Sequence, residues 1–229
     1  MKKLAIIPAR GGSKRIPQKN IKLFLGKPIV AYSIDAALKS GLFTEVMVST
    51  DSEEIADIAR QNGASVPFFR SPQTSDDYAA LGDVIEEIIL MYEQQGLWFD
   101  TICCVLPTAP LLTVQRLIEG HDLLEEKKYD SVTPVIKFSY PIQRALQLNE
   151  ENRLSMMYPE NLNKRSQDLV PAYHDSGQFY WGRTDAFMKE RTFFMKNGGA
   201  IVIPENEGQD IDTVEDWRLA EMKYKLLHG

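Results

Sequence analysis

The chain has 229 residues, 44% of them hydrophobic, and carries 26 Lys and Arg against 32 Asp and Glu, for a net charge of −6. That length and apolar content suffice for one full core, so a single domain over residues 1–229 is expected, and the acidic balance argues against non-specific nucleic-acid binding. No apolar run reaches bilayer length, and the N-terminal apolar stretch, cut at Pro8 and Arg10, is too short for a signal peptide, so a cytoplasmic protein with no membrane partner is expected.

A strand is predicted near residues 3 to 8, followed at once by the run 8-PARGGSKRIPQKN-20. The first thirty-four residues hold eight cations (Lys2, Lys3, Arg10, Lys14, Arg15, Lys19, Lys22, Lys27) and no Asp or Glu. A loop just past the carboxyl end of a strand is where α/β sheets bind ligands. Gly11 and Gly12 let backbone N–H groups approach an anion, while Arg10 with Lys14, Arg15 or Lys19 would neutralise phosphate charge. The alternative is a solvated basic loop. The spacing matches neither G-x-x-x-x-G-K-[ST] nor G-x-G-x-x-G, which disfavours a P-loop NTPase or a dehydrogenase.

Further along, 28-PIVAYSIDAALKS-40 has helical spacing, with Pro28 at its start and Gly41 past its end. The strand 45-EVMVST-50 leads into a helix over 52–62, for which Asp51 is the expected N-cap rather than a ligand. Residues 65–78 read as loop and contain Arg70. A helix over 79–94 precedes the strand 101-TICCVL-106, whose two cysteines point to opposite faces as core residues. The turn at 107-PTAPL-111 shares the sheet edge of the basic loop. A helix over 113–127 and a strand over 130–136 follow, and then the alternation breaks. Residues from about 138 to 182, including 138-FSYPIQRALQL-148, 154-LSMMYPE-160 and 177-GQFYWG-182, read as inserted hairpin strands facing either the active site or a partner subunit. Strand 200–204 and a C-terminal helix to about 227 close the chain. His121 and His228 read as surface residues. The alternation of strands and helices predicts an α/β fold with a parallel sheet.

In 210-DID-212 the carboxylates are spaced i, i+2, which places them on one face of an extended segment. Such a pair suits Mg²⁺, which takes one or two protein carboxylates beside water and phosphate oxygens. The competing reading makes Asp212, followed by Glu215, a helix cap. A polyphosphate loop paired with a hard-cation site describes nucleotidyl transfer better than hydrolysis.

Together the segments 6-IIPARGGSKRIPQKNI-21, 45-EVMVSTDSEEIA-56, 75-SDD-77 and 209-QDIDTVEDW-217 resemble the sugar-acid cytidylyltransferases, the CMP-sialic acid synthetase family. Within it, 140-YPIQRALQL-148, 165-RSQDL-169 and 173-YHDSGQFYWG-182 resemble the branch that acts on pseudaminic acid. The resemblance implies a Rossmann-like nucleotidyltransferase fold, mainly parallel, with flanking helices and an inserted β-hairpin dimerisation region at about 138–182. It also implies a homodimer and Mg²⁺-dependent transfer of CMP from CTP to the anomeric hydroxyl of a nonulosonic acid. By the same resemblance Ala9, Arg10, Gly11, Gly12, Ser13, Lys14, Lys19, Asn20, Arg70 and Ala80 bind the nucleotide. Arg10, Lys19 and Asp212 serve catalysis, and Asp210 and Asp212 hold the metal. Two departures stand out: Leu106 replaces a Gln that many sialate enzymes carry before the Pro-Thr turn, and 174-HDSG-177 replaces their Arg-Pro-Asn-Gly, which argues against N-acetylneuraminate.

A nine-carbon sugar acid presents a carboxylate, amides and hydroxyls, so its pocket needs a cation and hydrogen-bonding groups. The inserted region offers Arg144, Arg165, Gln167, Tyr173, His174, Asp175, Gln178 and Tyr180, although hairpin packing is the favoured reading of Tyr180 and Trp181. N-acetylneuraminic and legionaminic acids remain alternative acceptors, and a non-catalytic nucleotide-binding regulator is the alternative from another class.

Overall fold

The computed structural model describes residues 1–13, 15–76 and 79–229. In chain order the elements are β1 (Lys3–Pro8), β2 (Leu23–Phe24), β3 (Lys27–Pro28), α1 (Ile29–Ser40), β4 (Glu45–Ser49), α2 (Glu53–Gln61), α3 (Pro72–Ser75), α4 (Leu81–Gln94) and β5 (Thr101–Val105). They continue with α5 (Val114–Lys127), β6 (Ser131–Lys137), β7 (Leu146–Leu148), β8 (Leu154–Met156), β9 (Tyr173–Asp175), β10 (Phe179–Arg183), α6 (Thr184–Glu190), β11 (Gly198–Val202) and α7 (Val214–His228).

The main sheet runs β11-β6-β10-β5-β1-β4, with β9 on β6. The expectation of a mainly parallel sheet gives way to a mixed one. Strands β1 with β4, β1 with β5, and β11 with β6 pair parallel, whereas β10 runs antiparallel to both β5 and β6, and β9 antiparallel to β6. Segment 177–182 was expected among the inserted hairpins. Instead β10 lies in the middle of the sheet between β5 and β6, where Phe179 and Trp181 are fully buried beneath α5.

Alternation along the strands sorts the core onto two faces. Ala5, Ile7, Val46, Val48, Cys103, Val105, Phe179 and Trp181 pack with residues of α1, α2 and α5, while Leu4, Ile6, Met47, Ile102, Cys104 and Tyr180 pack with α4 and Phe187 of α6. Cys103 and Cys104 are free, buried and on opposite faces, as their adjacency predicts. His121 is not a surface residue: its ring packs edge-on against Trp181 at 5.3 Å, and its side chain is 13% exposed.

Local chemistry accounts for the helix ends. Gly41 closes α1 in the left-handed region, where a residue without Cβ fits best, and Ser52 caps α2 by accepting from Ile55 N–H. The cap of α2 is therefore Ser52, not Asp51, whose carboxylate is drawn elsewhere. At α7 a capping box forms between Thr213 and Asp216, which removes the reading of Asp212 as a cap.

A third, smaller cluster joins Ile16 of the basic loop, Phe24, Ile29, Ile211, Trp217 and Ala220. Burying the Ile16 and Ile211 side chains, worth about 1.5–3 kcal/mol each, pins the basic loop against the Asp-Ile-Asp segment although nearly two hundred residues of chain separate them. Beyond β6 the chain leaves the sheet, and β7 and β8 form a two-stranded hairpin. Leu146, Leu148 and Leu154 on it are 56%, 63% and 63% exposed.

Candidate active site

The loops after β1 and β5 and the segment between α2 and α4 meet the start of β10 at one edge of the sheet and line a cavity of about 530 Å³. Its wall includes Arg10, Ser13, Arg15, Lys19 and Asn20 from the basic loop, Arg70, Thr74 and Asp76 from the segment after α2, Leu81 from α4, Leu106 to Thr108, and Tyr180. Strand order reverses around β1, which makes this the crevice where an α/β sheet binds ligands.

The basic loop is shaped by partners from distant segments. Asn20 Nδ2 donates to Arg10 O at 2.9 Å, and Arg10 Nη1 donates to Asp76 O at 2.8 Å. Gly11 N donates to Asp51 Oδ1 at 2.8 Å, so Asp51 serves as an anchor of this loop. Lys19 Nζ donates to Ile211 O at 2.6 Å and lies 3.5 Å from Asp212 Oδ1, while Arg15 Nη2 meets the same oxygen at 2.7 Å. Lys14 lies outside the described residues, as does Asp77 of the 75-SDD-77 segment.

Arg70 is the most buried cation of the site, at 8% exposure. Its Nε and Nη2 donate to Ser49 Oγ at 3.2 Å and Ser49 O at 3.0 Å, and Nη1 to Thr74 O at 3.4 Å. Among the described residues no carboxylate pairs with its guanidinium. Burial pulls its pKa down, with Asp51 and Glu87 opposing, yet an Arg stays charged in a protein. A buried cation held by neutral acceptors is a fixed positive charge available to an anion.

Asp210 and Asp212 flank the fully buried Ile211, as the extended i, i+2 reading predicts. Burial, then the neighbouring Asp212 charge, pushes the Asp210 carboxyl above its usual range, against the pull of Lys19. A carboxyl raised by burial and by a neighbouring carboxylate marks a site whose repulsion a divalent cation relieves. The described residues contain no cluster of three His, Cys, Asp or Glu side chains suited to a metal. A pair supplemented by water and phosphate oxygens is the donor set of Mg²⁺.

Of the expected nucleotide contacts, Arg10, Ser13, Lys19, Asn20 and Arg70 line the cavity. Ala9 is buried beneath it, its N–H given to Ser49 O at 2.9 Å, and Ala80 stands just before α4. The expected sugar contacts do not line this cavity. Arg165 pairs with Asp168 at 2.7 Å, Arg144 donates to Ser166 Oγ at 3.2 Å, and the His174 ring packs tilted against Phe138 with centroids 4.9 Å apart. Gln167 lies in the single turn over 166–168, and Tyr173 is exposed in β9. Gln178 is buried, and its side-chain amide donates to Glu207 O. Asp175 accepts from Tyr180 Oη and from Gly177 N, the latter at 3.0 Å.

Tyr180, for which the sequence favours packing over a place in the pocket, lines the cavity. Its ring stacks on Phe193 at 5.5 Å and also lines a smaller apolar cavity of about 170 Å³ with Leu81, Phe187, Phe193 and Phe194. Burial, reinforced by the bond to Asp175, pushes its phenol pKa well up, so the group stays protonated and donating. An aromatic residue on a strand gives no sign of which end faces a cavity, so only the placement of β10 reveals it.

Cations converging on a triphosphate-sized cavity beside two carboxylates, on a Rossmann-like frame, define a nucleotidyltransferase. A cytidylyltransferase family profile matches residues 4–197, and the chain belongs to that family. It is 44% identical over 228 residues to the pseudaminic acid cytidylyltransferase of Campylobacter jejuni, covering 100% of this chain and 98% of that protein. It is 32% identical to the CMP-N,N'-diacetyllegionaminic acid synthase of Legionella pneumophila, over 99% of this chain and 97% of that one. The fold is shared with a CMP:2-keto-3-deoxy-manno-octonic acid synthetase solved in complex with CTP, at a TM-score of 0.71 and 16% identity, covering 100% of this chain and 99% of that one.

Proposed function

We propose that the protein transfers CMP from CTP to the anomeric hydroxyl of pseudaminic acid and releases pyrophosphate. The observation that carries this reading is the cavity itself, where Arg10, Lys19 and the buried Arg70 surround space for a nucleotide triphosphate in a chain 44% identical to an enzyme of that name. Arg10, Lys19 and Arg70 hold phosphate oxygens, with Ser13, Asn20 and the amide of Gly12 available as neutral donors, the Gly11 amide being held by Asp51. Catalysis is then mostly positioning: the cations fix the α-phosphorus while the acceptor oxygen attacks in line and the bond to pyrophosphate breaks. Asp210 and Asp212 are the residues that would hold Mg²⁺, which supplies charge neutralisation for the triphosphate and the departing pyrophosphate.

The acceptor enters from the side of Tyr180 and the small apolar cavity, which suits the methyl groups of an acylated sugar. Arg144, Arg165, Gln167, Tyr173 and His174 lie on the insert, away from this chain's own cavity. We infer that they act in a homodimer, in which the exposed Leu146, Leu148 and Leu154 of the hairpin are covered by a second copy. In this reading the chain is one catalytic domain, and the reaction runs in the cytoplasm, where CTP is made. Among the described residues no helix is long and apolar enough to cross a membrane.

The test is pyrophosphate release with CTP, Mg²⁺ and a panel of pseudaminic, legionaminic, N-acetylneuraminic and 3-deoxy-octulosonic acids. Pseudaminic acid is expected to be the preferred acceptor. The 32% identity to a legionaminic acid enzyme makes legionaminic acid the second candidate. CTP binding without turnover on any of the four would favour a nucleotide-binding regulator.

A further inference from the structure

Asp175 occupies an unusual position in the site. It ends β9 where that strand pairs with β6, opposite Val135, so its backbone is fixed by the sheet. One carboxylate oxygen accepts the Tyr180 hydroxyl, and the other accepts the N–H of Gly177 at 3.0 Å. Tyr180 is the ring shared by the walls of the 530 Å³ and 170 Å³ cavities. Gly177 has φ +67, and a Cβ there would lie 3.2 Å from Asp210 Cβ. One side chain therefore ties the partition between the two cavities to the turn on which Asp210 rests.

We propose that Asp175 is a positioning residue that sets the orientation of Tyr180 through one oxygen and the place of Asp210, by way of Gly177, through the other. The arrangement also favours Gly at 177, because a Cβ there would add the strain of a positive φ to a tight approach to Asp210. The electrostatic influence of Asp175 on Asp210, and the strong upward shift of the Tyr180 phenol, agree with three groups held in one small, poorly solvated space.

This inference rests on the cytidylyltransferase reading, so its test carries one measurement that does not need turnover. Three variants, Asp175→Asn, Tyr180→Phe and Gly177→Ala, are compared with the wild-type protein. Mn²⁺ binding in the presence of CTP is followed by loss of the free-ion paramagnetic resonance signal, and the acceptor KM is followed by pyrophosphate release. Asn offers a single acceptor oxygen in place of two, so Asp175→Asn is expected to weaken Mn²⁺ binding and to raise the acceptor KM, each at least fivefold. Tyr180→Phe is expected to raise only the KM, and Gly177→Ala to weaken Mn²⁺ binding at least fivefold.

Asp175→Asn with both quantities within twofold of wild type would overturn the proposal. So would a rise in acceptor KM alone with Tyr180→Phe silent, which is the signature of a direct sugar contact. If Asp175→Asn does not fold, the other two variants decide: each must move its own readout, and a silent one refutes that half of the link. If the wild type turns over no sugar acid, the functional reading fails, and the Mn²⁺ measurements still decide whether Asp175 and Gly177 position Asp210.

Discussion

Arg70→Met offers the sharpest test of the nucleotide site. The substitution keeps an unbranched side chain and removes a buried charge that has no ion-pair partner among the described residues, Asp51 and Glu87 acting on it only from a distance. In the free protein it loses three hydrogen bonds, to Ser49 Oγ, Ser49 O and Thr74 O. At about 1 kcal/mol each these are offset by relief from burying an ion, so net stability should change by no more than about 1–2 kcal/mol. With CTP the balance differs, because truncating one member of a buried charge pair costs about 2–5 kcal/mol. A loss of about 2.8 kcal/mol, in the lower half of that range, is about a hundredfold in affinity. At a CTP concentration about 100 times the wild-type Kd, ligand stabilisation would fall from about 2.7 to about 0.4 kcal/mol. For a chain of this length, 1 kcal/mol shifts Tm by about 2–4 °C, so a CTP-dependent shift of about 5–10 °C should shrink to about 1 °C. Differential scanning with and without CTP measures both quantities. A variant that unfolds far earlier without CTP but keeps the wild-type CTP shift would make Arg70 a structural residue and remove it from the site.

Lys19→Ala should lower kcat/KM for CTP by at least tenfold with little change in acceptor KM, and a selective rise in acceptor KM would contradict its place beside the phosphates. Asp210 is raised by burial and by Asp212, so the folded state holds its proton more tightly than the unfolded state and loses stability as pH climbs past the ordinary carboxylate range. Asp210→Asn should therefore raise thermal stability at neutral pH, give no gain in acid below that range, and abolish Mg²⁺-dependent turnover. Thermal scans at several pH values check the sign. Replacing Leu146 and Leu148 together with Lys should yield monomers in sedimentation analysis if the hairpin is the dimer contact, and an unchanged mass would place the interface elsewhere.

Much of this arrangement was written in local signals. The acid-free glycine loop after a strand, the i, i+2 carboxylates and the Gly41 stop each depend on neighbours a few residues away, and all three stand where the pattern puts them. The misreadings share another cause. Asp51 looks like a cap because Asp before a helix usually is one, but Ser52 is equally able, and the amide of Gly11, forty residues away, claims the carboxylate. Glu215 suggested a cap at Asp212, while Thr213 and Asp216 formed the box one residue later. Tyr180 and Trp181 have the alternation of any hairpin. That they belong to the centre of the sheet follows from pairing with β5 and β6, which no local window contains.

The ion pairs around Asp212 carry a thermodynamic consequence. In the free protein this carboxylate is the counter-ion of Arg15 and Lys19, at 2.7 and 3.5 Å. A divalent cation that took Asp212 as a ligand would loosen those pairs and leave both cations in want of an anion, which a triphosphate supplies. A triphosphate, arriving first, would release the carboxylate for the metal. Each ligand thus prepays part of the other's cost, and by linkage the enhancement must be equal in both directions. An enzyme wired in this way binds nucleotide and metal as a unit, and bare CTP should be a far poorer ligand than its metal complex.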